Sequence, residues 1–184
     1  MTREELQRII DSEPYDFLRT DPHLGKHLMF LTIGGSHAYG TNVAGSDVDI
    51  RGVALNSKED LLGLGEFEHR VDTVTDTTIF SFNKIAKLLS NGNPNVLEMF
   101  GNSGDLVISY SPTTELLMAN KMLFLSKDAI KPFGGFVNDL LRKSSRLYID
   151  MTIGRYGKDE IEKAQKKLNK LVMNANRLYL MAFD

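Results

Sequence analysis

Two aspartates separated by one residue, Asp47-Val48-Asp49, form the pair in this chain best suited to hold a metal ion. On an extended strand, residues i and i+2 point to the same side, about 7 Å apart along the backbone. Carboxylates that close repel each other, and a hard divalent cation removes the repulsion while bridging carboxylate to phosphate. Upstream of Asp47, with ten residues between, a glycine corner closes on Ser36, as Gly34-Gly35-Ser36. Its glycines let the backbone approach a triphosphate, and the Ser36 hydroxyl and nearby N–H groups, at a helix N-terminus, can donate to phosphate oxygens. Two magnesium or manganese ions about 3.5–4 Å apart would stabilise both the attacking and the leaving oxygen of a phosphoryl displacement. Either motif alone is an ordinary turn or a solvated strand position. The order strand, GGS, short helix, DxD, strand is what points to chemistry.

Further residues have both a chemical and a structural reading. Arg51 shares the strand face of the aspartates, where it contacts phosphate or serves as a salt bridge orienting Asp49 or Asp76. His37 touches phosphate or acceptor, or caps a turn. Tyr39 stacks on a base or walls the pocket. Lys84, on the first turn of a helix, reaches a triphosphate or is simply exposed. Glu98 is a candidate supporting carboxylate. Arg142, Lys143 and Arg146, and then Lys163, Lys166, Lys167 and Lys170, are basic stretches that track an RNA backbone or form solvated helix faces.

These residues need elements to position them. Leu6, Ile9 and Ile10 give a short opening helix over Glu4 to Ile10. The apolar run His27 to Ile33 reads as a buried strand ended by Gly34-Gly35. Asp47 to Leu55 alternates with period two and predicts a second strand beginning at Asp47. Ser57 to Leu64 predicts a capped short helix, and Val71 to Phe82 a third strand or a pair of strands. Helical patterning follows: Phe82 to about Ser90, a second helix opened by Asn93-Pro94, Glu115 to Met122 capped by Thr113 or Thr114, a long stretch from Asp128 to Tyr156 interrupted at Gly134-Gly135, and Asp159 to Ala182. The seam near Gly101 to Thr113 divides the chain into a catalytic domain, 1–110, and a helical region, 111–184, packed on it.

With GGSHAYGT (Gly34 to Thr41), SDVDIRGV (Ser46 to Val53), GNPNVLEMF (Gly92 to Phe100) and the segment Leu123 to Lys143 in view, the chain resembles the DNA polymerase beta nucleotidyltransferase superfamily. More narrowly, it resembles the RNA-repair-pathway DNA polymerase beta family of bacteria and large phages, over roughly residues 28 to 180. The resemblance implies an α/β (α+β) fold with a small mixed sheet and a C-terminal helical region, two metal ions (Mg2+ or Mn2+) and an NTP donor, with ATP favoured. It implies a third carboxylate on a neighbouring strand, Asp76 ahead of Asp72, as metal ligand and general base. Asp47, Asp49 and Asp76 are then the catalytic and metal-binding set, with Gly34, Gly35, Ser36, Tyr39, Arg51 and Lys84 on the nucleotide. The family name points to an RNA end as acceptor. The spacing also resembles minimal toxin–antitoxin nucleotidyltransferases, which adenylylate protein, and a non-catalytic nucleotide-binding module is the third reading. Family members continue past the final MAFD, so the chain reads as a short, phage-like or truncated version.

The composition sets outer limits. The 184 residues are 42% hydrophobic and 25% charged, with net charge −2, so any nucleic-acid surface must be local. The absence of cysteine excludes disulfides and thiolate chemistry and suits the cytoplasm. No run of about 18 apolar residues predicts a membrane span, and the charged amphipathic start lacks a signal-peptide core.

Overall fold

The computed structural model describes every residue except Met1, Tyr110, Ser126, Asp128, Ala129, Phe183 and Asp184. The expected start of the long helix at Asp128 therefore lies outside the described residues. The chain forms two compact units, one of residues 1–90 with 95–124 and one of residues 91–94 with 125–184.

The first unit is built on a five-stranded mixed sheet. In chain order its elements are α1 (Arg3–Ile10), α2 (Phe17–Thr20), β1 (Leu28–Ile33), α3 (Gly35–Ala38), β2 (Ile50–Ala54), α4 (Lys58–Leu61), β3 (His69–Asp72), β4 (Thr77–Ser81), α5 (Phe82–Ser90), α6 (Pro94–Gly101), β5 (Val107–Ser109) and α7 (Pro112–Ala119). The sheet order is β3-β4-β2-β1-β5. Only β2 and β4 run parallel; the other neighbours are antiparallel. An α/β fold with a small mixed sheet and flanking helices is thus what the sequence folds into.

β1 is buried at all six positions, which is why its sequence is a continuous apolar run rather than an alternation. Leu31 and Ile33 join the core formed with Leu6, Ile10, Leu18, Ile50 and Ile79. Phe30 meets the edge of Phe100 of α6, with ring centroids 5.4 Å apart. The sheet centre tolerates no side chain at Gly52, where a Cβ would come within 2.6 Å of Leu31 and 2.7 Å of the Phe30 carbonyl.

The expected third strand is a pair, β3 and β4, starting at His69. Two expectations are corrected. The helix placed at Glu115 to Met122 is α7, Pro112–Ala119, with Ser111 as its N-cap and Pro112 at the first position. The strand β5, in the segment taken as a seam, was missed because three residues are too short to show a period.

The second unit contains two long helices joined by a short connection and packed on each other, α8 (Ile130–Thr152) and α9 (Lys158–Met181). α8 runs through Gly134-Gly135 without the expected interruption. Phe133, Val137, Leu140, Ser144, Leu147 and Met151 form a stripe of buried or half-buried positions on α8, as do Ala164, Leu168, Leu171, Ala175 and Leu178 on α9. Both stripes alternate steps of four and three, the repeat of an antiparallel coiled-coil seam. Among the described residues, no helix is long and apolar enough to cross a membrane.

Candidate functional site

The glycine corner and the DVD segment meet because the β1–β2 pairing continues one step beyond the ladder. Ile33 is opposite Ile50. The next residue, Gly34, donates its amide to the Asp49 carbonyl at 2.8 Å. Asp47 and Asp49 therefore stand on the extended lead-in to β2, and the strand expected to begin at Asp47 begins at Ile50. Gly35 turns the opposite chain away into α3, so Asp47 has no strand to pair with. The alternation nevertheless survives: Val48 packs against the core while Asp47 is exposed and Asp49 half-exposed.

Gly35 has φ +59°, and a Cβ there would sit 1.7 Å from Asp49 Oδ2. The Asp49 carboxylate thus lies directly over the Gly35 backbone, in space that only glycine leaves open. Its other oxygen, Oδ1, accepts from Arg51 Nη2 at 3.2 Å. Arg51 Nη1 donates to the Asp76 carbonyl at 2.8 Å and lies 3.6 Å from Asp76 Oδ1. Parallel pairing sets Ile50 opposite Thr77, so the residues just before them, Asp49 and Asp76, are neighbours at one end of the sheet. The Arg51 guanidinium lies between their carboxylates.

Asp72 has a different task. Its Oδ1 accepts from the Val74 amide at 3.1 Å and from the Thr75 amide and hydroxyl, each at 2.9 Å. These bonds, those from Thr75 foremost, hold its carboxyl below the usual carboxylate range. Asp72 shapes the β3–β4 turn, and Asp76, with φ +45°, closes it in a left-handed conformation that aspartate tolerates better than most residues. Beside this turn the largely buried Tyr15 phenol is shifted upward, first by burial and then by the charges of Asp72 and Asp76.

As hard oxygen donors on one side of an extended segment, Asp47 and Asp49 suit a divalent cation. The Asp47 carboxylate has no hydrogen bond or ion pair among the described residues, so it is available. A complete three-carboxylate cage is not formed: among the described residues no group of three or more acidic or histidine side chains is placed to share an ion. A guanidinium takes up the space between Asp49 and Asp76.

The family described as the RNA repair pathway DNA polymerase beta family matches residues 2–152. The chain belongs to that family. A search of curated proteins finds no match. Membership makes this a chain of the polymerase beta nucleotidyltransferase type, and the glycine corner and DVD segment lie within the matched residues.

Not every residue that sequence reasoning set at the site is brought there. Lys84 follows the far end of β4, about 17 Å of strand from Asp76 at its near end. There it is paired with Glu68 at 2.8 Å. Its location and partner fit the structural reading rather than the triphosphate. His37 Nε2 meets the Ser46 carbonyl at 3.2 Å, closing the loop between α3 and the DVD segment. The Tyr39 hydroxyl donates to Glu98 on α6. Ser36 stays at the corner, where its carbonyl accepts from the Thr41 amide at 2.9 Å.

Two positioning residues of this family member were missed by sequence reasoning. Asn102 Nδ2 donates to the Ile33 carbonyl at 2.6 Å and to Thr32 Oγ1 at 2.7 Å. Buried Thr32 in turn donates to the Leu106 carbonyl at 3.0 Å. The last residues of β1 are thereby fixed just before the glycine corner. The only sequence signal was a threonine inside an apolar strand, a buried hydroxyl that needs a partner.

Proposed function

We propose that this protein transfers a nucleoside monophosphate from an NTP to an acceptor hydroxyl. The acceptor oxygen attacks the α-phosphorus, the bond from that phosphorus to the bridging oxygen breaks, and pyrophosphate leaves. Family membership and one geometric fact support this reading: the Asp49 carboxylate is seated over Gly35, next to the corner that would meet the triphosphate. Asp47 and Asp49 would hold magnesium or manganese, which when bound supplies charge neutralisation at the phosphates.

The chain's own residues bind and orient. The Gly34–Ser36 backbone and the Ser36 hydroxyl receive phosphate oxygens, and Arg51 contributes positive charge within reach of them. Asp76, exposed and beside Asp49, is the group positioned to take the proton from the acceptor hydroxyl. We assign an RNA end as the acceptor, in keeping with the matched family's name, and the cytoplasm as the compartment, which the lack of cysteine suits; ATP is the donor to be tried first.

The test is a label-transfer assay with each NTP and magnesium, offering RNA ends and protein as acceptors, on wild type and Asp47→Ala/Asp49→Ala. Transfer by wild type alone supports the assignment, and equal labelling by both proteins overturns it. The Arg51 bridge between Asp49 and Asp76 favours a second reading, a nucleotide-binding module without catalysis. That reading predicts NTP binding by wild type with no transfer to any acceptor.

A further inference from the structure

The net charge of −2 conceals a strong separation. Residues 125–184 hold 12 Lys and Arg against 7 Asp and Glu, a net of +5; the remainder of the chain holds 10 against 17, a net of −7. Such asymmetry between parts of one chain is a signature of polyanion binding.

Within the helical unit the charge is also one-sided. Of the positions directly preceding a seam residue, six are cations: Lys143, Arg146, Lys163, Lys167, Lys170 and Arg177. Two are acids, Asp139 and Asp150, and Asp150 is neutralised by Arg155 at 2.7 Å. Of the positions directly following a seam residue none is charged: on α8 they run from Gly134 through Asn138, Leu141, Ser145 and Tyr148 to Thr152, and on α9 from Gln165 through Val172 to Tyr179. In an antiparallel pair the preceding positions of both helices lie on the same side. Over the length of the seam the hairpin thus has a cationic face and an uncharged one, with Glu160 and Glu162 lying beyond its end at Ala164. The exposed lysines Lys163, Lys167 and Lys170 alone extend about 10 Å along the helix axis, whereas Arg177 is half-buried.

We infer that this face binds the phosphodiester backbone of a nucleic-acid strand. Regularly spaced cations along a helix match a linear array of phosphates. The observation that favours nucleic acid is the regular spacing of the cations; Phe136, Leu141, Ile149, Val172 and Leu180 are also exposed on these helices, so an anionic membrane is the rival that the vesicle arm of the test decides for or against. The inference concerns binding by the helical unit and stands whether or not the other unit transfers nucleotide.

The experiment uses the full chain without NTP or metal. Fluorescence anisotropy with labelled single-stranded RNA and DNA of the same sequence, over a salt series, compares wild type with Lys163→Glu/Lys167→Glu/Lys170→Glu. Far-UV circular dichroism checks that the helices persist. Binding of either strand should weaken at least tenfold in the variant, and the log Kd against log salt slope should fall by about 2, the change for three lost contacts at roughly 0.7 each. RNA and DNA binding alike indicates backbone recognition, and RNA alone adds the 2′-hydroxyl. The binding measurement contains neither NTP nor metal, which separates this result from the transfer assay. Failure of wild type to bind either strand, an unchanged Kd in a folded variant, or binding to phosphatidylserine vesicles in place of nucleic acid overturns the inference.

Discussion

At the scale of residues, Gly35 and Asp49 act as one unit. Gly35→Ala adds a Cβ where Asp49 Oδ2 lies and forces an L-residue to φ +59°. The conformational cost alone is about 1–2 kcal/mol, and the displaced carboxylate adds to it. We expect a lower melting temperature and at least a tenfold loss of label transfer. Adding Asp49→Gly should recover part of the melting temperature and none of the transfer, a split that thermal melts and the label assay read directly. Asp76→Asn keeps a residue that tolerates its left-handed backbone and removes only the charge. It should retain the melt and lose transfer, whereas full transfer would discard Asp76 as the base. Asp47, Asp49 and the glycines could be picked out in the sequence because their spacing is itself the signal. Arg51 as a salt-bridge partner of Asp49 or Asp76 was legible too; that it joins both at once was not, since that depends on the register of β2 against β4.

Elements carry the next set of consequences. Asn102, after α6, ties the end of β1 through the Ile33 carbonyl. Asn102→Ala leaves that acceptor without its partner and should cost about 1–3 kcal/mol in denaturant unfolding. The β3–β4 turn should respond to pH at both extremes. The Asp72 carboxyl is depressed by its bonds to Thr75 and Val74, so its stabilisation is complete above the ordinary aspartate range and is lost as pH falls through the lower, folded value. Asp72→Asn should flatten the acid limb of a stability–pH curve. The Tyr15 phenol is shifted upward, so its contribution is present below the ordinary tyrosine range and is lost as pH rises through the higher, folded value. Absorbance titration should show one tyrosine ionising late, and Tyr15→Phe should remove it. Elements with a clear period or an unbroken apolar run were legible in the sequence, α5 and α9 by the first and β1 by the second. β5 was not, being three residues long, nor was the start of β2, which depends on where the partner chain turns away.

Over the whole molecule, an acidic sheet unit and a basic helical unit are joined in one chain. The helical unit rests on a seam in which Leu147 is buried. Leu147→Ala should remove about 2–5 kcal/mol from that unit. Hydrogen exchange should show lost protection along α8 and α9 with the β1 and β2 amides unchanged; equal loss in both would mean the units unfold together. The overall charge pointed away from nucleic acid because opposite excesses cancel in a sum, and only the division of the chain reveals them. The parallel alignment of β2 with β4 has a consequence for how such chains can vary. Two acidic side chains 27 positions apart are kept abreast by backbone ladders alone. The tip of the excursion between β2 and β3, residues 61–66, with Leu61, Leu62 and Leu64 open to solvent, sets no part of that alignment. It is therefore the place where this scaffold can accept grafted sequence, lengthened or exchanged, without disturbing the chemistry.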